Sequence, residues 1–214
     1  MAVQAAVKRW VARHPGRRAG LVRLLVVAGL LTGCGANTVT VEGSYPTPNI
    51  PSIPLTLGVY YGEDLTGFRY IEYNDRGNEE YIVESGPSHV TLFNTLLPSM
   101  FEEVVMLNSP TEDAGVDAVF IPSIDEFQLA LPQKTRLDVY EVWVRYNMRF
   151  AEPGGETIAD WVMTAYGKVE QESLRTADSS IGGATVAALR DLGSNFALGF
   201  TSVPGVNDWL QSNP

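Results

Sequence analysis

The sequence predicts an α+β domain, a two-layer sandwich of mainly antiparallel sheet with helices on one face. Three observations predict it. Between Tyr140 and Phe150 the even positions (Tyr140, Val142, Val144, Tyr146, Met148, Phe150) form one apolar face. Glu141, Trp143, Arg145, Asn147 and Arg149 form the other, the period-two signature of a strand with one buried and one wet side. A second alternating segment, 157–170, follows across Pro153-Gly154-Gly155. Near the end, Ile181, Thr185, Ala188, Leu189, Leu192 and Phe196 recur at helical spacing, with Arg190, Asp191, Ser194 and Asn195 outside the stripe. A helix with one apolar stripe and a sheet with one apolar face bury each other.

The chain begins with a segment of different character. Six of the fifteen basic residues, and none of the 25 acidic ones, fall within 1–33. The remainder holds nine basic against 25 acidic groups, a formal net charge of −16. A basic leader followed by the apolar run Leu24–Leu31 and small residues Thr32-Gly33 reads as an export signal. The run is too short to cross a bilayer, which takes about 20 residues. The acidic body argues against nucleic acid, whose phosphates need clustered Lys or Arg.

Leu31-Thr32-Gly33-Cys34 resembles the lipobox of bacterial lipoproteins. The resemblance implies cleavage between Gly33 and Cys34 and a diacylglyceryl group on the Cys34 thiol, with acylation of the new amino terminus, so that the membrane becomes a partner through a lipid anchor. Gly35 and Ala36 supply no aspartate, the inner-membrane retention signal of such proteins. This implies the outer membrane; the domain is expected to face the periplasm, with display at the cell surface the alternative. Cys34 is the only cysteine, so no intramolecular disulfide competes for it.

Residues 34–54 are expected to be a lipidated proline-rich tether, or a strap along the domain with Ile50 and Ile53 as its contacts, and 55–214 the folded domain. Leu55, Leu57, Val59 and Tyr61 alternate as a strand. The segments 69–73 and 80–84 flank Asn74-Asp75-Arg76-Gly77-Asn78 as a hairpin. Ser88 is expected to cap a helix carrying Phe93, Leu96, Leu97, Met100, Phe101 and Val104, with His89 on its surface and a kink or break at Pro98. Residues 116–131 read as a long strand bent at Pro122, completing an antiparallel meander. A short last helix opens at Pro204 and offers Val206, Trp209 and Leu210 for packing.

Few residues suggest chemistry. His89 is the one histidine beyond the leader, too little for a zinc site of ordinary N/S type, so no metal and no cofactor are expected. Ser88 and His89 are sequence neighbours, and on a helix such neighbours do not face each other. Asp125 with Glu126, and Glu102 with Glu103, are adjacent acids; those of the first pair are expected on opposite faces of a strand. Trp143 with Arg145 and Arg149 puts a ring and two cations on the wet face, joined by Trp161 if register allows. That face is either a recognition surface or is covered by a helix or the strap.

The inferred order of elements resembles the auxiliary lipoproteins of envelope lipid-transport systems and the lipopolysaccharide-assembly lipoprotein. It implies a non-catalytic binding or scaffold protein whose partner is an envelope protein or a lipid. A lipid-anchored hydrolase using paired carboxylates is the alternative.

Overall fold

The computed structural model describes residues 36–112, 114–135 and 137–213. In chain order its elements are β1 (Asn37–Thr40), β2 (Ile53–Val59), α1 (Glu63–Thr66), β3 (Arg69–Tyr73), β4 (Glu79–Glu84), α2 (Gly86–Met100), β5 (Phe101–Met106), β6 (Ala118–Ala130), α3 (Pro132–Thr135), β7 (Val139–Ala151), β8 (Thr157–Glu170), α4 (Ala177–Gly199) and α5 (Pro204–Ser212), with a 3-10 turn at Phe200–Ser202 before the last helix.

The predicted class is observed, with more sheet than alternation reveals. The large sheet runs β5-β2-β6-β7-β8 and the small one β1-β4-β3. β6, β7 and β8 form the expected antiparallel meander, whereas β2 is parallel to both β5 and β6, and β1 is parallel to β4. The even residues of β7 from Tyr140 to Phe150 are buried under α4, whose stripe from Ile181 to Phe196 is buried in turn. Gly167 of β8 lets the two backbones meet: a Cβ there would overlap Ala184 O and Ala188 N of α4.

Several boundaries differ from the sequence reading. The packed body begins before Leu55. β1 pairs with β4, Val39, Val41 and Tyr45 are buried, and Ile50 and Ile53 pack on the core. The proline-rich stretch is thus a strap, held by Arg190, which donates to Ser44 O, and by Tyr45 Oη, 2.6 Å from Ser88 Oγ.

The helical stripe ends at Met100; Phe101–Met106 extends into strand β5, and Val104 and Val105 pair with Leu57 and Gly58. Pro98 produces no break: it sits in the last turn of α2, with only Ser99 and Met100 after it before the chain extends into β5. The helix starts at Gly86 rather than after Ser88, and Ser85 occupies the N-cap position. A Cβ on Gly86 would overlap Thr66 O and Phe68 N, so the close approach of α1 requires glycine here.

The irregularity in β6 lies between Ile124 and Glu126 rather than at Pro122. Tyr60 N donates to Phe120 O, so Phe120 and, two residues on, Pro122 turn their backbone polar groups toward the β2 side. β2 pairs with β6 only as far as Phe120. The missing proline donor therefore faces an edge with no ladder to complete.

Candidate functional site

Cys34 and Gly33, the expected lipidation and cleavage positions, lie outside the described residues. The sheet face and the space beneath the strap are the two surfaces with recognisable chemistry.

On the wet face of the large sheet, Trp143 is 39% exposed and, among the described residues, stands outside the core. Its cross-strand neighbour is Tyr166, with ring centroids 5.0 Å apart. Tyr166 donates its hydroxyl to Glu141 at 2.6 Å, and that bond pushes its pKa up to about 12. Val162 is exposed on the same face. Arg145 is paired with Asp125 (2.8 Å) and Glu126 (3.2 Å). These adjacent acids were expected on opposite faces; the bulge between Ile124 and Glu126 turns both toward one guanidinium. Arg149 donates to Gly155 O at 2.9 Å and is half-buried at the base of the β7–β8 turn. Trp161 does not join this face. It pairs with Met148, on the core side, and packs near Phe120 and Phe200. Trp143 and Arg145 thus stand together, and Trp161 stands on the opposite side of the sheet.

The second surface was not visible in the sequence. The strap runs over α2 and α4 and leaves an apolar groove along its edge. The larger part, about 560 Å³, is walled by Ile50–Leu55 of the strap and β2 on one side and by Met100, Ala197, Leu198 and Leu210 on the other. A smaller part, about 270 Å³, shares Ile50, Ala197 and Leu198 and continues toward Leu92, Leu96 and Arg190. Leu198 is 75% exposed at the rim. Among the described residues, neither a carboxylate nor a histidine lines either part.

His89, expected at the surface, is fully buried. Ser85 Oγ lies 2.9 Å from its Nε2 and Tyr146 Oη 2.6 Å from its Nδ1, while Ser88 turns away to Tyr45. Burial pushes the imidazole down to about 3. A neutral ring sealed from solvent and satisfied on both nitrogens serves the core; no substrate reaches it. Glu152, Glu156 and Asp208 border a shallow open cavity of about 510 Å³, where Glu152 accepts a hydrogen bond from Trp209 Nε1 at 2.7 Å. Glu102 and Glu103 are exposed on β5. Among the described residues no group of three His, Cys, Asp or Glu side chains is placed to hold a metal ion, and no helix is long and apolar enough to cross a membrane.

No family model and no curated protein matches the chain. Among solved structures, a Xanthomonas campestris protein of the family model DUF330 is similar with a TM-score of 0.56 at 10% identity, over 82% of this chain and 99% of that one. A minor lipoprotein from Acinetobacter baumannii matches with a TM-score of 0.43 at 11% identity, over 71% of this chain and 94% of that one. At this identity the first similarity is one of fold.

Proposed function

We propose that this protein is a bacterial lipoprotein, anchored through Cys34 to the periplasmic side of the outer membrane. Its non-catalytic domain binds a lipid-containing ligand or an envelope protein, as an accessory to a transport or assembly system. The groove beneath the strap carries this reading. Its volume falls within the roughly 300–1,000 Å³ of small-molecule sites, and its walls are hydrocarbon with few polar groups, the composition that suits an acyl chain. The charged side chains that chemistry would need lie elsewhere: the acids of β6 are paired with Arg145, and His89 is sealed in the core.

Two measurements test the two halves of this reading. Intact mass of the mature protein should correspond to a chain beginning at an acylated Cys34; a product beginning at Met1, or at a bare Cys34, ends the anchor. Binding of a fluorescent fatty acid should be saturable, and Ile50→Glu should weaken it about tenfold or more by placing a carboxylate against the bound chain. Absence of saturable binding by the native protein removes the groove from the proposal.

A further inference from the structure

One end of the domain gathers features that neither the groove nor the sheet face uses. β1 is parallel to β4 with Asn37 opposite Tyr81, so the start of β1 lies at the β3–β4 hairpin end. Lys134 of α3 bonds Glu72 and the carbonyl of Tyr73, bringing the β6–β7 connection to that hairpin. Gln171 N donates to Asp138 O, adding the β8–α4 connection. Each of the three connections presents a large apolar side chain to solvent: Tyr73 is 50% exposed, Leu137 54% and Leu174 100%.

Cys34 is three residues before Asn37, and three residues of extended chain reach at most about 10 Å. We infer that this end of the domain, with Tyr73, Leu137 and Leu174 at its tips, is a membrane-seating surface whose partner is the phospholipid bilayer that holds the Cys34 acyl chains. The inference rests on the anchor reading above.

The anchor and the tips act together. Acyl chains on Cys34 hold β1 within a short span of the headgroups, where Leu137 and Leu174 leave water by entering the interface. The same loops carry Arg76, Lys134, Arg136 and Arg175 beside Asp75, Glu79, Asp138 and Glu172, so lipid charge contributes little. α4 rises from this end for about 32 Å between Ala177 and Leu198, at roughly 1.5 Å per residue. The larger part of the groove, beside Ala197 and Leu198, therefore lies at the end of α4 remote from the proposed seating surface.

Lipidated Cys34 leaves no other thiol, so an introduced cysteine is a unique labelling site. Leu174→Cys, Leu137→Cys and Leu198→Cys, each carrying an environment-sensitive fluorophore, would be reconstituted as full mature lipoproteins into phosphatidylethanolamine–phosphatidylglycerol vesicles containing headgroup-depth nitroxide lipid. Seating predicts a blue shift and at least about twofold stronger quenching at positions 174 and 137 than at 198, since interfacial groups sit about 5–10 Å into the bilayer boundary. Equal quenching at all three positions, or quenching at 198 alone, in an acylated protein that floats with the vesicles overturns the seating and leaves the anchor standing. A bare Cys34 by intact mass overturns both.

Discussion

Tyr146 Oη lies 2.6 Å from Nδ1 of His89, and the pair is buried between α2 and the core face of β7. Tyr146 is held well above its ordinary pKa by burial and stays a phenol, while Nε2 of the imidazole lies 2.9 Å from Ser85 Oγ; the neutral ring donates through one nitrogen and accepts through the other. α2 is thereby pinned to the sheet through a group that cannot take up a proton without losing an acceptor.

The first prediction follows from that neutrality. The ring's pKa falls from 6.5 unfolded to about 3 folded, so between these values the unfolded chain binds the extra proton. Stability is full above pH 6.5 and falls with acidification, with a slope approaching about 1.4 kcal/mol per pH unit. In urea titrations, His89→Gln should destabilise by about 2 kcal/mol at pH 7 and by clearly less at pH 5. A deficit that does not change with pH sinks the idea.

Gly167→Ala should cost about 2–3 kcal/mol, because its methyl group meets the α4 backbone rather than a side chain that can turn aside. Denaturation midpoints compared with those of Gly154→Ala, where nothing lies within 4 Å, provide the check. Equal midpoints would mean that helix and strand are not in contact there.

Tyr45→Phe removes one of the two ties on the strap and strands the buried Ser88 hydroxyl. A loss of about 1 kcal/mol is expected, with faster amide exchange confined to the strap around Tyr45. Exchange that rises uniformly across the domain would contradict a local fastening.

Trp143→Ala should change stability by about 1 kcal/mol or less, since the ring is exposed and leans on Tyr166 alone among aromatic neighbours. If an envelope protein docks on this face, capture of that protein by cross-linking should drop about tenfold or more at unchanged melting temperature. Capture that survives the substitution moves the contact elsewhere. Arg145→Ala, which breaks only exposed ion pairs, should be nearly silent in stability, within about 1 kcal/mol.

Strands with one wet face were legible because alternation is a local property: β7 and β8 follow directly from which residues face α4. β1 and β5 were not. Asn37–Thr40 is too short to show a period, and Phe101–Met106 continues the apolar recurrence of α2 closely enough to pass for helix. What converts it is pairing with β2, more than forty residues earlier. The site divides in the same way. Trp143 and Arg145 share a strand face and could be assigned together, whereas Trp161 depended on the register across the β7–β8 turn, which sets it against Met148. The burial of His89 required Tyr146, far along the chain. The groove required a strap that composition alone left as either tether or contact.

The parallel pairings also set an order of assembly. β1 waits for β4, and β2 waits for β5 and β6, so neither sheet grows outward from its first strand. Such distant closures are slow, and until they form, the early strands carry bare edges open to foreign pairing. A fragment cut short before Ala118 would keep β2 half-partnered, and proteolysis rather than partial activity is the fate its backbone dictates.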